Sequence, residues 1–323
     1  MEIFVTGATR VLGRPVVQVL VEAGHRVRAL SRSEENAAEL RKLGADPVPA
    51  SLFEVESLKP ALSGSDAILH LATRIPPTMK MGRLSAWQEN DHIRREGTRN
   101  LVEAALAVGG VQTFIYPSFA FVYPDSGDRW IDADTTPVQP AATLHSTLDA
   151  EVAVANFAGN ERRGISLRLG AFYGPESPAT WEFLSYARRG IAAFPGPRDA
   201  YLPQIWVQDA ASAIVTALTQ PVPSGIYDIV DDEPLRRGEM FDAVAHAVGR
   251  KHLLPLPDLL MRMLLGTKYD DIHRSLRISN RRFKAVSNWQ PAVSNARVGW
   301  ARITGSLLTS DCSLSESNRS LMI

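Results

Sequence analysis

Eight residues near the N-terminus constrain this chain more than any others. The run Thr6-Gly7-Ala8-Thr9-Arg10-Val11-Leu12-Gly13 lies between an apolar stretch, Ile3-Phe4-Val5, and an amphipathic one, Val17 to Ala23, that stops at Gly24. A strand that passes through a glycine turn into a helix gathers free backbone N–H groups at the positive end of the helix dipole, which is where phosphate binds. Glycine permits the tight turn and the close approach of backbone to ligand. The same alternation continues in Val27 to Leu30, Asn36 to Leu43 ending at Gly44, Ala67 to Ala72, Gly97 to Val108, Thr113 to Ser118, about Leu144 to Asn156, and Ile165 to Leu169. Short apolar runs alternating with helical stretches predict an α/β fold, a Rossmann-type doubly wound parallel sheet.

After Gly170 the rhythm breaks at Pro175, Pro178, Pro195, Pro197 and Pro203. The expected organisation is therefore a nucleotide-binding domain over residues 1–170, to which 201–232 return, and a smaller, mainly helical substrate lobe from 171–200 and 233–304. Residues 305–323, rich in Ser and Asn, read as a flexible tail. The 35 Lys and Arg balance the 35 Asp and Glu, so no basic field attracts nucleic acid. The start of the chain lacks a basic segment leading into a long apolar stretch, so no membrane span is expected and the cytoplasm is the default compartment. Cys312 is the single cysteine and the seven histidines are dispersed, an arrangement that predicts neither a disulfide nor a metal site.

Further motifs follow in order: Leu69-His70-Leu71-Ala72, Glu96-Gly97-Thr98-Arg99-Asn100-Leu101, Val122-Tyr123, Leu167-Arg168-Leu169-Gly170, Tyr173-Gly174-Pro175, Trp206-Val207-Gln208-Asp209-Ala210-Ala211, and Tyr227 to Pro234. Over residues 1 to 304 this series resembles the extended short-chain dehydrogenases, the NAD-dependent epimerase/dehydratase branch. The resemblance implies an NAD(P) site, a small second lobe, and a cleft between them for a small hydroxylated or carbonyl compound. The extended branch has its middle glycine where Arg10 stands and the compact branch where Val11 stands, so the phosphate turn is expected to be crowded, with Gly7 and Gly13 remaining. NAD-preferring relatives end the second strand with a carboxylate; here it ends Leu30-Ser31-Arg32. Guanidinium grips a phosphate with forked hydrogen bonds, and Arg10 falls where NADP-using relatives of the compact branch often carry a basic residue. The expected cofactor is NADP, held by Thr6, Gly7, Thr9, Arg10, Gly13, Ser31, Arg32 and Ala72. The Asp that relatives place against adenine falls at Ser51-Leu52.

The resemblance further implies a Tyr that passes a proton, a Lys four residues later, and a Ser or Thr that polarises the substrate oxygen. These positions hold Thr143, Thr147 and Phe119, and an Asn of the family is replaced by Arg94. A threonine hydroxyl is far too weak an acid to replace a phenol near neutral pH. The candidate catalytic set is therefore Asp91, His92, Thr143, Thr147 and Tyr173. The leading expectation is a repurposed enzyme doing non-redox chemistry on a small organic substrate, by cyclisation, dehydration, isomerisation or bond cleavage. The alternatives are an NADP-dependent reductase or epimerase with a relocated acid, and a non-catalytic cofactor-sensing or interaction protein. Trp181, Phe183, Phe194 and Trp206 are the aromatics of the second lobe that a pocket or a core would use. A homodimer is expected through the helices Gly97 to Val108 and Leu144 to Asn156, with Leu101, Ala104, Ala105 and Val108 as an apolar face.

Overall fold

The computed structural model describes residues 1–76, 80, 83–159, 161–192, 196–256, 261–263, 266, 269 and 273–305. Seven parallel strands form the central sheet: β1 (Glu2–Thr6), β2 (Arg26–Ser31), β3 (Asp46–Pro49), β4 (Ala67–His70), β5 (Thr113–Phe119), β6 (Arg163–Leu169) and β7 (Gly225–Ile229). Their order is β7-β6-β5-β4-β1-β2-β3. The winding reverses between β1 and β4, where Thr6 stands beside His70. A crevice opens beyond the carboxyl ends of the strands at such a switch point. Both faces of the sheet are covered. Ile3 and Val5 of β1 pack on one side with Val17 and Leu20 of α1 (Gly13–Glu22), while Phe4 packs on the other with Leu101 and Phe114.

The sequence pattern passed over two elements. Strand β3 reads Asp-Pro-Val-Pro, and its prolines are accommodated because it is an edge strand. The helix α3 (Val55–Leu62) carries Pro60 inside it, which masks its helical pattern. The helix expected to begin at Gly97 starts earlier: α4 (Gln88–His92) runs through a π-turn, Ile93–Gly97, into α5 (Thr98–Val108). The helix α6 (His145–Phe157) packs beside them, and α2 (Glu34–Lys42) follows β2.

The second lobe has its own apolar core of Tyr173, Phe183, Leu202, Phe241 and Trp300, around helices Pro178–Arg188 and Arg237–Ala247. Of the aromatics singled out, Phe183 is core, Trp206 is half-buried edge-on to Tyr173, and Trp181 is 39% exposed. Phe194 lies outside the described residues, as do 306–323 with Cys312. Phe283 and Trp289, expected in the second lobe, instead join the core on the α1 side of the sheet, Phe283 edge-on to Tyr227. The apolar face expected to meet a second subunit is also used differently. Leu101, Ala104 and Ala105 are wholly buried within the chain, in the core shared with Leu58 and Ala61 of α3. The outer sides of α5 and α6 expose Leu106 and Val152 instead. Among the described residues no helix is long and apolar enough to cross a membrane.

Candidate functional site

A cleft of about 690 Å³ opens at the switch point, lined by Thr6, Gly7, Thr9, Arg10, Ser31, Arg32 and Ala72 among others. Gly7 takes φ +71°, and a Cβ there would stand 2.5 Å from the Leu71 carbonyl oxygen. Gly13 lies behind the turn, where a Cβ would meet the Gly7 carbonyl oxygen at 2.2 Å. Arg10 N donates to Gly7 O at 3.1 Å and closes the turn. The crowding expected at Arg10 does not arise: its backbone is not in the left-handed region and its side chain is exposed. No side chain caps α1; Arg14 N and Val16 N are bonded to Arg10 O and Leu12 O and Pro15 has no N–H, so the Gly13 N–H is the one of its first turn left to an anion.

At the β2 end, Ser31 Oγ donates to Ser33 O at 3.0 Å, and Ser33 Oγ caps α2 by accepting from Asn36 N at 3.2 Å. Asn36 Nδ2 donates to Thr9 Oγ1 at 3.1 Å and ties this corner to the glycine turn. Nearby charges are mostly matched, Arg14 with Glu39 and Arg41 with Glu34. Arg10 and Arg32 have no ion-pair partner among the described residues. Two cationic side chains thus border one cleft without a carboxylate of their own. Phe53, 43% exposed, lines the same cleft and stacks on His92 with ring centroids 4.1 Å apart.

Each candidate catalytic residue has its own surroundings. His92 is engaged in that stack, and Asp91 Oδ1 accepts from Ser146 Oγ at 2.6 Å, joining α4 to α6. Tyr173 is buried in the second lobe and donates to Asp231 Oδ2 at 2.7 Å; burial, with the Asp231 charge beside it, pushes its phenol far above the ordinary range. It is thereby held as a structural donor rather than a usable acid. Thr143 and Thr147 are buried with their hydroxyl oxygens unpartnered. Phe119 stacks on Phe121 at 4.7 Å.

Sequence reasoning used Glu151 and Arg168 only as landmarks and missed what they form. Arg168 Nε and Nη2 donate to the two carboxylate oxygens of Glu151 at 2.9 and 2.8 Å, and its Nη1 donates to the Tyr123 hydroxyl at 2.8 Å. Tyr123 in turn donates to Asp228 Oδ1 at 2.8 Å, and Ser118 donates to Glu151. This buried chain links β5, α6, β6 and β7. Burial raises the Asp228 carboxyl to about 7, against the pull of Tyr123 and Arg168. His70, bonded through Nδ1 to Thr6 Oγ1 at 2.7 Å, is lowered to about 4 by burial. Its ring is expected to stay neutral until the pH falls to about 4. Unfolded chains take up that proton near the ordinary histidine value, so this residue's contribution to stability falls between the two. A His70 resonance that titrates near the ordinary value would contradict the assignment.

The sequence matches the model of the NAD dependent epimerase/dehydratase family over residues 3–230. A 3-diazoavenalumate denitrifying reductase of a Streptomyces species is 28% identical over 320 residues, covering 94% of this chain and 100% of that protein. The protein YbjS of Escherichia coli is 31% identical over 247 residues, covering 72% of this chain and 71% of the relative. Among solved structures, human epimerase family protein SDR39U1, crystallised with NADPH, superposes with a TM-score of 0.81 at 21% identity, covering 94% of this chain and 99% of the human one. The glycine turn, the strand order and the family match agree: this chain belongs to the NAD dependent epimerase/dehydratase family.

Proposed function

We propose that the chain binds NADP(H) in the switch-point cleft and acts as a reductase on a small organic substrate. The observation that carries the reading is the pair of guanidinium groups, Arg10 and Arg32, that border the cleft beside Ser31 with no ion-pair partner among the described residues. The 2′-phosphate is the group that uses such a pair. Gly7 and Gly13 allow the tight turn that would present backbone to the pyrophosphate, since a Cβ at either would meet neighbouring backbone atoms, and Phe53 offers an aromatic face where the adenine Asp of relatives is absent. When bound, NADPH supplies a hydride.

The protein's own residues narrow the substrate class. Thr143 and Thr147 stand where the family's phenol and ammonium are expected and Phe119 where its Ser or Thr is, and Tyr173 is bonded to Asp231. An alkoxide product would lack the positioned acid that contributes roughly 10²–10⁴-fold in rate. Substrates whose reduction leaves no alkoxide fit better, such as a carbon that bears a departing nitrogen group. The relative named for denitrifying reduction supports that class. The same three replacements favour a second reading, non-redox chemistry with the cofactor retained as a structural ligand.

Calorimetry with NADP and NAD tests the cofactor assignment. Arg32→Ala is expected to weaken NADP binding roughly tenfold or more, the scale of a lost charge-assisted hydrogen bond, and to leave NAD unchanged. Equal losses for both would remove the assignment. Substrate conversion matched by NADPH consumption supports the reductase, conversion without consumption the non-redox reading, and binding without conversion a sensor.

A further inference from the structure

Three arginines are drawn into the body of the nucleotide-binding half, and two have full sets of partners. Arg168, 3% exposed, holds Glu151 with two bonds and Tyr123 with a third. Arg163 donates to the carbonyl oxygens of Ala217, Leu218, Gln220 and Val222 and to Thr113 Oγ1. The third, Arg94, is 6% exposed, and its Nε and Nη1 are buried without an acceptor. It makes no ion pair among the described residues. Tyr116 is the group it lies beside: Arg94 and Thr147 both draw its hydroxyl pKa down against the effect of burial. The Tyr116 and Thr147 hydroxyls are themselves without hydrogen bonds of good geometry. Glu151, whose charge also reaches Tyr116, is already paired with Arg168, and Glu89 is paired with Arg74.

Arg94 sits in the π-turn, a local irregularity that frequently marks functional positions. Its neighbour Ile93 and, one turn earlier, Glu89 line the cleft. The His70 ring lies 6.0 Å from the Tyr116 ring and is bonded to Thr6, which also lines the cleft. Arg94 thus directly follows a residue of the cleft wall and adjoins Tyr116, whose ring neighbours His70. A buried charge that no protein group balances is expensive, and a negative ligand in the cleft offsets it.

We propose that Arg94 is an electrostatic positioning residue that biases this cleft toward the reduced cofactor. The inference rests on the NADP(H) reading above. NADPH carries one more net negative charge than NADP⁺, whose nicotinamide ring is cationic, so a fixed positive charge behind the wall favours the reduced form. Arg94 does this through its field and through the hydroxyls of Tyr116 and Thr147, without touching the substrate.

The test is calorimetric titration of the wild type, Arg94→Gln and Arg94→Lys with NADPH and with NADP⁺ at low salt. The ratio of the NADP⁺ to the NADPH dissociation constant is expected to fall roughly three- to tenfold in Arg94→Gln, the range that one partly screened unit charge produces. Arg94→Lys should retain the wild-type ratio within about twofold, because it keeps the charge. A merely structural role would weaken both forms equally, and that result, or an unchanged ratio, overturns the proposal. Should Arg94→Gln fail to fold, Thr147→Glu places a compensating carboxylate beside Arg94 and is expected to lower the ratio in the same direction; an unchanged ratio there also overturns it. A wild type that binds neither form overturns the cofactor reading and this inference together, whereas binding of both with an unaltered ratio overturns this inference alone.

Discussion

Glu151→Ala is expected to lower the melting temperature by on the order of 10 °C, the largest stability effect of any single substitution outside the glycine turn. The carboxylate is the hub of the buried chain: it accepts both arms of Arg168 and the Ser118 hydroxyl. Its removal leaves the Arg168 guanidinium buried without a counter-charge, and breaking such a pair costs roughly 3–5 kcal/mol. A native chain has only about 5–15 kcal/mol to lose, and each kcal/mol shifts the midpoint of a large domain by about 2–4 °C. Glu151→Gln, which keeps an acceptor for part of the network, should lose less. The exposed pair Arg95 and Asp149 provides the contrast, since both side chains are largely in water and Arg95→Ala should change stability by less than about 1 kcal/mol. Thermal unfolding followed by circular dichroism measures all three. If Glu151→Ala and Arg95→Ala melt together, the buried chain contributes no more than a surface pair.

Gly13→Ala is expected to damage both folding and cofactor affinity. Its added methyl would meet the Gly7 carbonyl oxygen at 2.2 Å and Ala8 backbone atoms at 2.7 Å. These atoms belong to the phosphate turn itself and cannot swing aside as a flexible side chain would. Either α1 moves off the sheet or the turn opens, and overpacking of a fixed site costs roughly 1–3 kcal/mol or more. The affinity for NADP(H) should fall at least roughly tenfold, because the turn and the helix N-terminus no longer present their N–H groups together. Arg10→Gly serves as the comparison at the same turn. Arg10 is exposed and not in a left-handed conformation, so restoring the family's glycine should leave stability nearly unchanged. Equal melting points and equal calorimetric affinities for Gly13→Ala and the wild type would show that the turn tolerates a side chain and that the cradle is drawn too tightly.

The legible parts of this protein were the local ones. The strand, glycine turn and helix from Ile3 to Ala23 are adjacent in sequence, and their geometry follows from backbone sterics and one apolar period. The residues proposed for the cofactor are local in the same way: Thr6, Gly7, Thr9 and Arg10 belong to one turn, and Ser31 and Arg32 to the end of the next strand. The proposal of NADP rather than NAD rests on the absence of a carboxylate after Leu30. The expectation that Thr143 and Thr147 stand in place of the family's Tyr and Lys rests on their one-turn spacing, although Thr143 lies in a 3₁₀ turn, Ala142–Leu144, just before α6.

What the sequence could not supply was the identity of partners far apart along the chain. Ser118 and Glu151 are separated by 33 positions, Tyr123 and Asp228 by 105, and no periodicity encodes such pairs. The apolar face Leu101, Ala104 and Ala105 looked available for a second subunit, yet α3, hidden by Pro60, covers it. Tyr173 looked like a stand-in acid until Asp231 proved to be its acceptor. Arg94 read only as a replaced asparagine; that it is buried beside Tyr116 without an ion pair among the described residues depends on the π-turn and on how α6 packs across it. By itself the sequence determined the sheet and the glycine turn, since these depend on neighbours along the chain. Tertiary structure alone decided which charges are neutralised and which face the cleft unpaired, since burial and charge compensation depend on neighbours in space.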